Sequence, residues 1–315
     1  MSAVERFAWA SPEYAEAFAA LLRCSGERSH LQRFLHALTA SYPPDALAVE
    51  WGAGVGDLTG LLLERFRRVL AIEPSPAFHC ILSRRYPRAE ILDGTLSTAE
   101  LPDQVDLGLI SHVFYHLPDH AWAAATIRAA RWLTERGVLA VILKDCDSAC
   151  NRMLEHFGAR RFDLVGALVA AIHHHGAEFD FTFTRLPGGV RTGSYDETLA
   201  IARFMLCDRA AEAFSAPPSE EQFRDYVRRH FWDGTSGAGG WDYDLVVCLV
   251  RPNRWYRPPG TLSGTGVPWV EPIELSLCTV VKARQSRVTG PRSWSPRGAH
   301  PVRREGVVII AATRG

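Results

Sequence analysis

Lysine is nearly absent from this 315-residue chain: Lys144 and Lys282 stand alone among 35 basic residues, the others being arginine. Net charge is absent as well, because 35 Lys+Arg are matched by 35 Asp+Glu. A protein that binds a nucleic-acid backbone needs a basic face to neutralise phosphates, so the balance argues against such a partner. From Arg251 onward eleven Arg/Lys face three Asp/Glu, which leaves the front of the chain acidic and the tail basic. No apolar run approaches the ~20 residues of a membrane span, so no membrane partner is expected. The seven cysteines (24, 80, 146, 150, 207, 248 and 278) are odd in number, scattered and without a CxxC pair, which argues against a disulfide framework. The opening MSAVERFAWASPEY has neither a basic n-region nor an apolar h-region, and the expectation is a cytoplasmic protein with free thiols. The run His173-His174-His175 lacks the i, i+4 pairing of a helical metal site and has no acids or thiols at ligand spacing, so no metal is expected. There is no internal repeat.

What is present is an ordinary globular composition, 47% apolar and 22% charged, in a chain long enough to bury a small-molecule site. Residues 11–40 read as two helices, with Pro12 near the first start and Leu31, Phe34, Leu35 and Leu38 at helical spacing in the second, before Tyr42-Pro43-Pro44 breaks the pattern. Short apolar runs then alternate with amphipathic stretches: ALAVEW (46–51), VLAIE (69–73), AEILD (89–93), VDLGLISHVFYH (105–116) and GVLAVIL (137–143). That alternation predicts right-handed βαβ units and a parallel sheet, with VLAVIL buried on both faces. After Lys144 a helix pair is expected, then strands at 179–186 and 242–250 around inserted helices, one strand running antiparallel. Beyond Pro252 the sequence is rich in Pro, Gly, Ser and Arg and reads as an irregular or disordered tail. Within it the runs LCTVV and GVVIIAA have the composition to pair.

Two motifs carry chemistry. In Val49-Glu50-Trp51-Gly52-Ala53-Gly54-Val55-Gly56-Asp57 a strand enters a glycine turn and a helix leaves it, so the backbone approaches a ligand closely beside a helix N-terminus. Glu73 ends the next strand about twenty residues on, where an acid accepts hydrogen bonds from ribose hydroxyls. Together they indicate an adenosine-containing cofactor. A dinucleotide fingerprint needs a later third small residue; here the third glycine comes early, at Gly56, with Asp57 behind it.

The pattern resembles motif I of the class I S-adenosylmethionine-dependent methyltransferases, read as Glu50-Trp51-Gly52-Ala53-Gly54-Val55-Gly56. The resemblance extends over about 30–250, through Glu73-Pro74, Asp93-Gly94-Thr95, the segment Ser111-His112-Val113-Phe114-Tyr115-His116 and the turn at Gly137. It implies a doubly wound, mostly parallel, seven-stranded α/β sheet of the Rossmann-like methyltransferase fold, with an N-terminal helical lid and a helical insertion. The domains it implies are a lid over 1–45, a cofactor-binding domain over 46–252 with a cap insertion at about 187–241, and a basic tail over 253–315. S-adenosyl-L-methionine would be held by Glu50, Gly52, Ala53, Gly54, Gly56, Glu73, Pro74, Asp93, Gly94, Thr95 and Ser111. Trp51, large where relatives carry a smaller residue, is expected to alter the pocket rim.

SHVFYHLPD is similar to the small-molecule branch, including a histamine-methyltransferase-like group, and lacks the [D/N]PP[Y/F] of DNA amino-methyltransferases. The implied activity is methyl transfer to N, O or C of a small metabolite in specialised biosynthesis. A proton leaves when the acceptor is a phenol or an ammonium, and His112, His116 and Tyr115 are the candidates to take or orient it. The plain alternative for His112 is a residue that touches the cofactor or caps the strand, and for His116 and Tyr115 it is packing. The lid residues Tyr14, Phe18, Glu27 and His30 would exclude water. The cap aromatics Phe204, Phe214, Phe223, Tyr226, Phe231 and Trp232 either line an acceptor pocket or form the cap's own core. Asp145, Cys146, Asp147 and Cys150 either line the acceptor cavity or form a solvated loop. The rivals are a protein of the same fold that binds cofactor without transfer, and an NAD-dependent oxidoreductase; the latter lacks a Tyr-x-x-x-Lys pair.

Overall fold

The computed structural model describes Val4, residues 12–207, 217–253 and 308–310. Two helices come first, α1 (Pro12–Cys24) and α2 (Glu27–Thr39). The alternating part follows as β1 (Leu47–Trp51), α3 (Asp57–Arg65), β2 (Arg68–Ile72), α4 (Pro76–Arg85), β3 (Glu90–Leu92), β4 (Val105–Ser111), α5 (Trp122–Ala130) and β5 (Leu133–Lys144). Then come α6 (Ala149–His156), α7 (Leu164–His175), β6 (Phe179–Thr192), α8 (Tyr195–Cys207), α9 (Glu220–His230), β7 (Trp232–Asp233), β8 (Ala238–Pro252) and β9 (Val308–Ile310).

The sheet runs in the order β3-β2-β1-β4-β5-β8-β6-β9, with β7 pairing β8 as a short flap. The strands from β3 to β5 are parallel. β8 is antiparallel to both β5 and β6, so β6 runs with the parallel set. The seven strands from β3 to β6 in that order form the doubly wound, mostly parallel sheet that the alternation predicts, and β9 lies antiparallel along Phe181–Phe183 of β6. All five residues of β1 and the last eight of β5 are buried, as strands covered on both faces require. Gly108 of β4 makes room for this layer: a Cβ there would lie 2.8 Å from Leu139 Cδ1 and 3.0 Å from Trp51 Cζ3.

Trp51 corrects an expectation. Its indole is 2% exposed and packs into the sheet core against β4, away from the pocket rim. The cap insertion is also narrower than about 187–241. β6 runs on to Thr192 and β8 starts at Ala238, because Gly188–Thr192 pair with Tyr243–Gly239 as a ribbon beyond the apolar run. A capping box of Ser219 and Gln222 starts α9, and Ser148 and Asp163 cap α6 and α7. The tail over 253–315, including LCTVV, lies outside the described residues apart from Asn253 and 308–310. Among the described residues no helix is long and apolar enough to cross a membrane.

Strand order reverses between β1 and β4, and the crevice outside their carboxyl ends is where ligands bind in such sheets. Over that crevice lie α1 and α2. The link between them is tied to the sheet through Gly26 N–H, which donates to Gly189 O at 2.9 Å, and a bridge between Ser25 and Val190.

Candidate functional site

A cleft of about 1110 Å³, its open mouth included, occupies the switch point. Glu50, Gly52, Ala53 and Gly54 form one wall and Ser111, His112, Tyr115 and Lys144 the opposite one. Phe18, Leu21 and Leu31 from the two N-terminal helices roof it, and Phe162, Phe204 and Met205 close the apolar end.

The glycine wall follows from backbone geometry. Gly52, Gly54 and Gly56 have φ of 71°, 56° and 82°, in the left-handed region that L side chains rarely adopt. A Cβ at Gly54 would meet nothing nearer than Phe18 Cε1 at 3.9 Å, so bare backbone faces open space. At the end of the neighbouring strand β4, Ser111 Oγ is buried without a hydrogen-bond partner. An open peptide cradle beside an orphaned hydroxyl suits a polar cofactor of nucleoside size.

Two acids stand behind the cradle. Glu50 is buried and accepts from Thr59 Oγ1 at 2.5 Å. Burial pushes its carboxyl up to about 8; the Thr59 bond opposes this, and the neighbouring charges of Asp57 and Glu73 add to it. Glu73 is also buried, with Oε2 accepting from Gly54 N–H at 2.8 Å and Oε1 from Ser75 N–H at 2.9 Å. Burial raises its carboxyl, against those two bonds and the nearby His79 and His116. Glu73 therefore buttresses the turn, and each of its oxygens keeps a further lone pair for a donor.

The opposite wall is a charged network. His112 Nε2 lies 3.0 Å from Glu27 Oε2, and its Nδ1 lies 3.3 Å from Tyr115 OH. Tyr115 OH accepts from Lys144 N–H at 3.2 Å. Lys144 Nζ lies 3.7 Å from Glu27 Oε1, an oxygen that also accepts from Tyr243 OH. The Lys144 ammonium sits 5.6 Å and 5.4 Å from the ring centres of Tyr115 and Tyr243. Burial works to raise the Glu27 carboxyl, but Lys144 and His112 overrule it and hold it well below the usual carboxylate range. Glu27 is thus an anion. Burial pushes the Tyr115 phenol up to about 12 and the Cys150 thiol up to about 11, so both keep their protons.

The structure brings Glu50, Gly52, Ala53, Gly54, Ser111, His112 and Tyr115 to one cleft. Gly56 and Glu73 lie just behind it. Pro74, Asp93 and Thr95 are exposed and, like Gly94, do not line the cleft. His116 is exposed and does not line the cleft; it acts electrostatically on Glu73. Of the cap aromatics Phe204 reaches the cleft, whereas Phe223, Tyr226, Phe231 and Trp232 pack on Phe157, His156, Trp241 and Tyr195 as a core of the cap. Phe214 lies outside the described residues. Cys150 lines the cleft. Asp145, Cys146 and Asp147 bring ligand atoms within 4.8 Å of one another outside it, with Asp145 paired to Arg185 and Asp147 to Arg161. Lys144 and Tyr243 were not legible as site residues; the one available signal was the rarity of lysine. Arg28 also lines the cleft, and it donates to the carboxylate and, at 3.0 Å, the carbonyl of Asp57 at the start of α3.

Comparison with known proteins fits this geometry. Residues 49–141, from β1 into β5, match the family described as a methyltransferase domain. An uncharacterised methyltransferase of Bacillus subtilis, YrrT, is 39% identical over 87 residues, 27% of this chain and 41% of that protein. One from Exiguobacterium sibiricum is 36% identical over 89 residues, 28% and 42% of the two chains. The match thus spans less than half the length of either relative. Among solved structures, a putative methyltransferase from Bacillus halodurans superposes with a TM-score of 0.51 at 10% identity, covering 70% of this chain and 97% of that one. The YcgJ protein of Bacillus subtilis superposes with a TM-score of 0.50 at 13% identity, covering 71% and 99%.

Proposed function

We propose that this chain, whose residues 49–141 match a methyltransferase-domain family, transfers a methyl group from S-adenosylmethionine to a small molecule. The observation that carries the reading is the meeting, in one roofed cleft, of a bare glycine cradle and an ionised network on the opposite wall. The cofactor would supply the activated methyl group. Glu50, Gly52, Ala53, Gly54, Gly56 and Ser111 would hold its amino-acid part and sulfur region, and Glu73, with Pro74 behind it, the ribose. Asp93, Gly94 and Thr95, on the loop after β3, would border the adenine.

The protein's own contribution is alignment and exclusion of water. Roofing helices and an apolar end wall suit a metabolite-sized acceptor, aromatic or amine, such as specialised biosynthesis supplies. His112 and Tyr115 face that acceptor, and the proton it loses falls to them. His116, exposed beside Glu73, is assigned no part in proton transfer. A cytoplasmic location belongs to the same reading.

Transfer is tested by measuring release of S-adenosylhomocysteine from S-adenosylmethionine across a panel of amines and phenols. Acceptor-dependent release supports the reading. Tight cofactor binding with no release on any acceptor would replace it with a binding protein of the same fold.

A further inference from the structure

His112 is held in an unusual way. Among the described residues it is the non-glycine residue with left-handed backbone, φ 59°, and its N–H is fixed by Ile142 O at 3.0 Å. Such outliers persist where the surroundings over-determine them. Both ring nitrogens are engaged, and the two partners differ in kind. Glu27 is a carboxylate anion and can only accept, so the hydrogen in the 3.0 Å contact is on Nε2. In a neutral ring with its hydrogen on Nε2, Nδ1 is an acceptor, and the Tyr115 hydroxyl, which accepts from Lys144 N–H, has its own hydrogen to donate there. That second contact is 3.3 Å, at the long end for a hydroxyl hydrogen bond, and an incoming hydroxyl or amine displaces it at little cost. The hydrogen bond at one imidazole nitrogen sets which nitrogen is basic at the other.

Glu27 begins α2, one of the two roofing helices, whereas the groups it meets come from the sheet: His112 beyond β4, Lys144 at the end of β5 and Tyr243 on β8. We propose that Glu27 is the positioning residue of His112: it fixes the ring as the Nε2–H tautomer and leaves Nδ1 as the atom that takes the acceptor's proton. Because α2 carries Glu27, the basic nitrogen is set only while the roof is down on the cleft. The inference rests on the methyl-transfer reading and narrows the substrate to an acceptor whose attacking atom carries a proton, an amine or a phenol. In the step itself the acceptor's N–H or O–H bond breaks, its electron pair stays on the acceptor atom, and the proton moves to Nδ1. The imidazolium so formed is paired with Glu27 on its far side, as a base of this kind requires. The titratable groups that touch His112 are Glu27 from α2 and Tyr115 from its own loop; Lys144 from β5 and Tyr243 from β8 reach it through Glu27, and Cys150 from α6 lines the same cleft.

The test is a long-range proton–nitrogen spectrum of the full chain with labelled histidine, saturated with S-adenosylhomocysteine at mildly alkaline pH. The His112 signal is identified by its loss in His112→Asn. The wild type is expected to show Nε2 protonated and Nδ1 bare. In Glu27→Gln, whose amide donates as readily as it accepts, a mixture of tautomers is expected. A helix latch without a chemical role would leave the tautomer unmoved. An Nδ1–H ring in the wild type overturns the proposal, as does an unaltered Nε2–H ring in both Glu27→Gln and Glu27→Ala. Should S-adenosylhomocysteine fail to bind, the methyl-transfer reading falls, and the same spectrum of the ligand-free chain still decides the role of Glu27.

Discussion

At the end of β1 the Glu50 carboxyl is buried and pushed up to about 8, so it holds its proton at neutral pH. The amino-acid part of S-adenosylmethionine carries an ammonium, and an ammonium beside Glu50 favours the carboxylate. Binding at pH 7 is therefore expected to release a proton, seen as a calorimetric heat that changes with the ionisation enthalpy of the buffer. Glu50→Gln should remove that buffer dependence; its persistence in the variant would assign the proton elsewhere. The same residue sets a stability slope. Its folded value lies above its unfolded one, so its contribution is complete below about pH 4.5 and is lost as pH rises through about 8. Glu50→Gln should therefore gain thermal stability relative to wild type as pH rises from 5 to 8, by a few kcal/mol at most. Glu73→Ala loses a buttress of Gly54 and the ribose acceptor together. Its affinity for S-adenosylhomocysteine should weaken by about 1–3 kcal/mol, the scale of lost charge-assisted hydrogen bonds, and an unchanged dissociation constant would contradict the ribose assignment.

At the scale of elements, the roof and the cap are held differently. Helix α9 depends on its capping box, and Ser219→Ala is expected to cost about 1 kcal/mol in denaturant unfolding without moving cofactor affinity. Helix α2 is pinned to α3 by Arg28 and Asp57, a half-exposed pair. Arg28→Met should therefore leave the unfolding midpoint nearly unchanged and speed S-adenosylhomocysteine dissociation about 2–5-fold in stopped flow, because surface pairs are worth about 1 kcal/mol or less. These elements also show what the sequence made legible. β1, its glycine turn and Glu73 lie within about 25 residues of one another in the order their chemistry needs, so spacing alone exposed them. The long strands past Leu186 and before Asp242 escaped notice, since beyond the core edge they carry Gly, Arg and Thr rather than an apolar run. Trp51 was assigned to the pocket by position within the motif, but strand alternation turns its side chain into the sheet.

At the scale of the whole molecule, the fold followed from the alternation of strands and helices, and half of the site did not. The network on the opposite wall joins residues 27, 112, 144 and 243, which are brought together only when α2 is laid over the ends of β4, β5 and β8. Glu27 could be placed on a roofing helix from sequence, yet nothing local to it names His112 as its partner across 85 residues. The stretch that matches the methyltransferase-domain family, 49–141, holds the cradle and His112 but neither Glu27 nor the cap. The central claim is that the glycine cleft at the β1–β4 switch point takes the cofactor of a methyltransferase. Calorimetric titration of the full chain with S-adenosylhomocysteine, with NAD as the control, tests it most directly. Saturable one-to-one binding of S-adenosylhomocysteine and none of NAD is expected; binding of NAD, or no binding of S-adenosylhomocysteine, would refute a methyltransferase cofactor site there.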